Sequence, residues 1–224
     1  MLLPSSFILY FGVCLKALCV SDKVVERLYS PAVTTIAKDV DIILGSGDLP
    51  YYYLEYLQSM LNAPLYYVHG NHDSEAEYLP SGESISGPRG GYNLDERIVA
   101  VKGLLIAGLQ GSIRYKSEGS YQHTDFEMWL KIFRLAPRLF YNLRARGRAL
   151  DVLVAHSPPL NIHNGDDHVH RGFSSFLWLM RVFKPKLLVH GHKHVYRPDE
   201  RTETWYRRTL VTNVYPYKII EIGT

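Results

Sequence analysis

Apolar residues along this chain gather in short unbroken runs instead of alternating with polar ones. Leu15–Ser21, Val40–Gly45, Pro64–His69, Asp151–Ala155 and Lys186–His190 are each dominated by apolar positions. Runs of that length read as strands buried on both faces. Between them the period changes. Ser30-Pro31 offers a cap and first-turn proline for a helix to about Lys38, and Pro50 opens a second through Leu61 on Leu54, Leu57 and Leu61. Thr124–Arg146 predicts a long amphipathic helix, interrupted or kinked at Pro137, and Phe173–Phe183 a shorter one. Strand–helix–strand order implies parallel pairing with right-handed crossovers. Arg97–Leu109 reads as a hairpin about Lys102-Gly103, residues 79–96 as a Gly/Ser/Pro-rich loop, residues 160–172 as a polar loop, and Thr204–Ile222 as closing hairpins. No internal repeat, low-complexity tract or linker interrupts the pattern.

The residues just beyond the strands matter more than the strands themselves. Five apolar runs end in metal-type residues: Asp22, Asp48, Asn71-His72, His156, and His192 with His194. In open α/β sheets, sites form beyond the carboxyl ends of the strands, so residues scattered in sequence can converge there. One such strand end is common by chance, but five are hard to explain as packing. The densest is Leu187-Leu188-Val189-His190-Gly191-His192-Lys193-His194, where Gly191 permits a tight turn. Two histidines two residues apart cannot face one point from an extended strand, whereas a turn can aim them at neighbouring positions, which suits two ions better than one. Oxygen and imidazole donors without thiolate favour manganese, iron or zinc in a non-structural role. A carboxylate bridging two ions about 3.5–4 Å apart would hold an acidified water between them and clamp an in-line displacement at phosphorus. Phosphoester hydrolysis is the natural chemistry.

These motifs, in this order, resemble the calcineurin-like metallophosphoesterases: Asp22, Gly47-Asp48, Gly70-Asn71-His72-Asp73, His156 and Gly191-His192-Lys193-His194. The resemblance covers residue 15 to the end. It implies an α/β four-layer sandwich, two mixed β-sheets flanked by helices, and a metal-bridging hydroxide as nucleophile. It further implies that Asp48 bridges two divalent metal ions. Asp22 and His194 would complete one ion, and Asn71, His156 and His192 the other. His72 would sit over the substrate as the catalytic histidine. Two positions depart from the family's pattern. Val24 stands where the family usually has a histidine, which leaves one ion with three protein ligands, and Tyr51 stands where many relatives have an acid that orients the catalytic histidine. Asp73 is the candidate to replace that acid.

Of the remaining candidates, His170 and Arg171 are assigned to substrate binding in a loop bordering the site, with His168 beside them. His69 and His190, each before a motif glycine, are expected to hydrogen-bond a ligand or carbonyl instead of a metal. His123 and His163 are expected at the surface, and Tyr51, Tyr52 and Tyr53 as packing at a helix start and pocket wall.

Length and charge then set the frame. At 224 residues the chain is expected to be a single domain, with residues 1–14 a non-core extension. A net charge of +3 gives no case for a stable nucleic-acid complex, and the run Arg134, Arg138, Arg144, Arg146, Arg148 reads as a solvated helix face. The apolar start, Met1 to Val20, lacks a basic leader and contains Lys16, so neither a signal peptide nor a membrane span is expected. Two cysteines, Cys14 and Cys19, fit inert buried thiols in a reducing cytoplasmic setting. The expected partner is a small phosphodiester or phosphomonoester, with no membrane. The alternative is a degenerate, non-catalytic relative that binds a nucleotide or protein, for which Val24 is the best support.

Overall fold

The structure is a computed structural model that describes residues 14–78, 81–165, 167–197 and 199–223. The expected N-terminal extension lies outside those residues except for Cys14. In chain order the elements are β1 (Cys14–Val20), α1 (Val33–Ile36), β2 (Ile42–Gly45), α2 (Tyr51–Leu61), β3 (Leu65–Tyr67), β4 (Glu77–Tyr78), β5 (Ser84–Ile85) and β6 (Tyr92–Asn93). Next come β7 (Ile98–Val101), β8 (Leu104–Leu109), β9 (Ser112–Ile113), β10 (Gln122–His123), α3 (Asp125–Arg146) and β11 (Val152–Ala155). The chain finishes with α4 (Ser174–Phe183), β12 (Leu187–His190), β13 (Glu203–Tyr206), β14 (Thr209–Asn213) and β15 (Tyr217–Gly223).

Two mixed sheets form, one in the order β15-β1-β2-β3-β6 and the other β13-β14-β12-β11-β8-β7. The apolar runs are their central, parallel strands: β1, β2 and β3 in the first, β8, β11, β12 and β14 in the second. Ladders run antiparallel only toward the edges, at β15, β13 and β7. Three apolar clusters set the layers. Leu15, Ala17, Cys19, Ile42 and Leu44 meet Ile106, Val152, Val154, Leu187 and Val189 between the sheets. Leu18, Val20, Ile43 and Leu65 pack outward against Val33 of α1 and Tyr53, Leu54 and Leu57 of α2. Ala107, Leu153, Leu188 and Val211 pack outward against Met128, Ile132, Leu135 and Leu139 of α3 and Phe176, Leu179 and Met180 of α4. The result is four layers: helices, sheet, sheet, helices.

Several expectations change in detail. Pro137 does not break α3, which runs 22 residues from a Thr124–Glu127 capping box to Gly147 in the left-handed conformation. Its ring faces solvent, while the buried row of Ile132, Leu135 and Leu139 continues past it. The helix expected after Ser30-Pro31 shrinks to four residues. Ser30 Oγ donates back to Arg27 O and no side chain caps the helix start. Residues 79–96 are not all loop, because two-residue ladders, β4–β5 and β6 on β3, form within or beside them. The tail makes one hairpin, β13–β14, and β15 then crosses to the opposite sheet to pair with β1 along seven residues. Cys19 is buried, and burial pushes its thiol up to about 12, whereas Cys14 is exposed; both are free.

Candidate metal centre

The parallel strands of both sheets end at one edge of the sandwich, and the turns after them carry the expected residues. Asp22 comes after β1, Asp48 after β2 and Asn71 after β3 in the first sheet; His156 comes after β11 and His192 after β12 in the second. Asp22, Asp48 and His192 all have φ near +60°, a conformation that is costly for side chains with a Cβ. Three strained residues at facing strand ends are the kind of local cost seen where geometry serves a site.

The turns fit because glycines leave no room between them. A Cβ on Gly70 would lie 2.0 Å from Asp48 Oδ1 and 2.6 Å from His156 Cε1, and one on Gly191 would lie 2.2 Å from Asp22 Oδ2. Asp73 fastens the first sheet's turns together: Oδ2 accepts from the backbone N–H groups of Asp48 (3.1 Å) and Gly70 (2.7 Å), and Oδ1 from Leu49 (3.1 Å). Both oxygens are therefore committed to backbone, which removes Asp73 as a replacement for the missing orienting acid. Tyr51 does not orient His72 either, since its hydroxyl donates to Ser74 O at 2.8 Å.

At the centre, four acceptors converge. His156 Nε2 lies 3.0 Å from Asn71 Oδ1, 3.1 Å from His192 Nδ1 and 3.4 Å from Asp48 Oδ2. The outer ring nitrogens are spoken for: His156 Nδ1 donates to Ser46 O at 2.8 Å and His192 Nε2 to Val169 O at 2.9 Å. Those bonds fix the tautomers so that lone pairs point inward. Asn71 is held the same way, its Nδ2 donating to Tyr115 Oη at 3.1 Å, which turns Oδ1 to the centre. In the neutral tautomers four lone pairs face one another, a repulsion that a proton on His156 Nε2 or a cation at the centre relieves. Ligands about 2.1 Å from a common ion sit roughly 3.0–3.4 Å apart, the spacing found here.

The electrostatics agree. Burial alone disfavours charge on His156, but the adjoining Asp48 carboxylate, with Asp22 farther off and Ser46 O, holds its pKa up to about 10. Burial and the nearby His156 push His192 down to about 4. Burial would raise Asp48, yet His156 and the His72 N–H (2.8 Å from Oδ1) bring it down to about 2. The pocket favours positive charge, and Asp48, His156 and His192 lie close enough together to hold a metal ion.

The second expected set is less complete. His194 Nε2 lies 3.5 Å from Asp22 Oδ1, and its ring stacks on Tyr215 with Nδ1 2.8 Å from Tyr196 Oη. Asp22 also accepts from the His192 N–H at 3.0 Å and from the Ser21 hydroxyl. Among the described residues, the one group of three ionisable candidates that closes within 4.8 Å is Asp48, His156 and His192. Val24 packs against the cluster under α1 and α2.

His72 is exposed at the mouth, tied to Asp48 only through its backbone. The His170 ring lies 5.1 Å from that of His192, with Nδ1 on Asp167 at 2.8 Å. Arg171 is exposed and, with His168, lines adjoining cavities of about 200 and 600 Å³. His190 donates from Nδ1 to Gly191 O, its Nε2 meets His163 Nδ1 at 3.0 Å, and His163 Nε2 reaches Thr204 Oγ1 at 2.9 Å. His163 and His123 are thus half-buried, not surface residues as their polar sequence surroundings suggested. His69 is buried, stacked on Tyr121 at 4.4 Å.

A family model described as calcineurin-like phosphoesterase matches residues 22–196. One solved structure is similar at 13% identity, covering 94% of this chain and 99% of its own, with a TM-score of 0.61. TT1561 of Thermus thermophilus is similar at 16% identity, covering 90% of this chain and 89% of its own, with a TM-score of 0.59. YfkN of Bacillus subtilis, a calcineurin-like phosphoesterase, is more distant: 10% identity, 95% and 91% covered, TM-score 0.41. Comparison with curated protein sequences gives no match.

Proposed function

The chain belongs to the calcineurin-like phosphoesterase family, whose members bind divalent metals, and from that premise we propose that it hydrolyses phosphodiesters or small phosphomonoesters. The observation that carries this is the set of four inward acceptors on His156, His192, Asn71 and Asp48, with the outer hydrogen bonds of both imidazoles and the amide already in place. When bound, divalent metal ions supply Lewis-acid activation of water and neutralise charge on the phosphoryl oxygens. Manganese, iron and zinc suit the donor set.

The chain's own residues do the rest. Asn71, His156 and His192 would hold one ion together with Asp48, and Asp22 and His194 would hold a second beside it. His72, exposed at the mouth, protonates the leaving oxygen or stabilises charge on the phosphoryl group. His170, whose ring lies 5.1 Å from that of His192, and its neighbour Arg171 would receive the rest of the substrate. Mutation of the shared carboxylate tests the proposal. Purified protein with added manganese should hydrolyse chromogenic mono- or diesters, chelation should stop it, and Asp48→Asn should abolish both metal retention and turnover. Wild-type turnover in Asp48→Asn, or none in the manganese-loaded wild type, overturns it. The latter result would favour the non-catalytic alternative, to which Val24 and the less complete Asp22–His194 pair lend weight.

A further inference from the structure

The outer face of α3 is unlike that of a solvated helix. Opposite its buried row, Phe126, Leu130, Phe133, Phe140 and Tyr141 point away from the core and are 70, 39, 54, 52 and 70% exposed. They form a stripe about 22 Å long on the outer side of the helix. The patch continues onto α4. Trp129 and Phe133 stack at 5.6 Å, both lean on Trp178 (5.3 and 6.0 Å), and Phe140 meets Phe183 at 5.0 Å. A helix with one apolar stripe in the core and another outside has a surface that water does not favour, and contiguous exposed patches of this kind mark interaction sites.

The charges around the stripe identify what it meets. Asp125 and Glu127 flank Phe126 at the helix start, and beyond them no acidic residue occurs from Met128 to Leu150 or along α4. Arg138, Arg144 and Arg146 on α3, with Arg181 and Lys184 at the end of α4, are exposed. Among the described residues these five make no ion pair, whereas Arg134 and Arg148 are committed to Glu96 and Asp151. Aromatic side chains beside unpaired cations, on a helix lying along the surface, match the interfacial zone of an anionic bilayer. We propose that the α3–α4 face docks this protein on anionic membrane surfaces, the aromatics entering the acyl boundary and the unpaired cations beside the stripe facing lipid phosphates. Among the described residues no helix is long and apolar enough to cross a membrane. The arginine run, which reads from sequence as a solvated face with no membrane partner, acquires this role only once the stripe beside it is seen.

The test is flotation with vesicles of phosphatidylcholine alone and of phosphatidylcholine with phosphatidylglycerol. The wild type should float with the anionic vesicles and much less with the neutral ones, and salt should weaken the binding. Tryptophan emission should shift to the blue and be quenched by lipids with brominated chains, a wild-type measurement that needs no variant to fold. Phe126→Ser with Tyr141→Ser should lower the partition coefficient by roughly tenfold per aromatic removed, the low end of what burying such a side chain is worth. Arg138→Glu with Arg144→Glu should lower it as well, and neither pair should change metal binding. Absence of flotation with anionic vesicles overturns the proposal. So does binding that only the arginine changes weaken, without quenching, because that is adsorption by charge alone. A dimer dispersed by the aromatic substitutions, with no flotation, overturns it in favour of a second copy of the chain.

Discussion

Gly70→Ala is the sharpest probe of the centre, because it adds one methyl group and strains no backbone angle: Gly70 has no positive φ. The added Cβ would lie 2.0 Å from Asp48 Oδ1, 2.6 Å from Asp48 Cγ and 2.6 Å from His156 Cε1. Contacts under 3.0 Å are essentially never seen for a Cβ, so the carboxylate oxygen must retreat by about 1 Å. It cannot swing freely, because the His72 N–H holds Oδ1 at 2.8 Å and the turn itself is pinned by Asp73. Metal ligands tolerate about 0.2 Å, and misplacement on the scale of about 1 Å costs roughly a hundredfold in a positioned reaction. Metal affinity and turnover should therefore fall together by about a hundredfold or more, while far-UV circular dichroism stays that of the wild type. Gly223→Ala is the control, since a Cβ there meets nothing within 4 Å. Calorimetric titration with manganese reads the affinity, and chromogenic ester hydrolysis reads turnover. If Gly70→Ala binds metal within about threefold of the wild type, the crowding argument and the centre built on it are wrong.

Two further outcomes rest on the same geometry. His72 touches the centre only through its backbone, so His72→Ala should keep its metal content by elemental analysis while turnover falls about 10²–10⁴-fold, the share of a general acid; loss of metal in that variant would reassign the residue as a ligand. The Asp22–His194 site has one imidazole where the family usually has two, and Val24, in the place of the other, packs partly buried against the cluster beneath α1 and α2. Its ion should therefore bind roughly ten- to a hundredfold more weakly than the one at His156, the scale on which single groups tune metal affinity, and two equal tight steps in calorimetry would refute the three-ligand account.

The strand ends were legible because their signals are local. Val40–Gly45 before Gly47-Asp48, or Leu187–His190 before Gly191-His192, shows an apolar run with its chemistry directly behind it, and the central strands fall where those runs do. The contacts that hold the ligands in place are not local. Tyr115 lies 44 residues from the Asn71 it orients, and Ser46 O lies 110 from His156. Two of the outer partners, Ser46 O and Val169 O, are backbone carbonyls that no side-chain pattern marks. Asp73 stands so close to the Gly-Asn-His motif that its position invites a catalytic role, but its carboxylate is spent on backbone N–H groups. The burial of His163 depends on His190, 27 residues away, and β15 reads as part of a hairpin until its partner proves to be β1.

That last pairing carries a consequence for how the protein is made. The Cys14–Val20 strand finds its antiparallel neighbour in Tyr217–Gly223, close to the far end of the chain. At about 5–20 residues per second of synthesis, the wait is roughly 10–40 s. Throughout that interval one edge of a strand buried along most of its length has no hydrogen-bonding partner. A ribosome-bound chain would hold a half-built first sheet with an apolar rim, open to chaperones and to neighbouring nascent chains. Its slowest productive step would be the arrival of the final strand, not the closing of either helix pair.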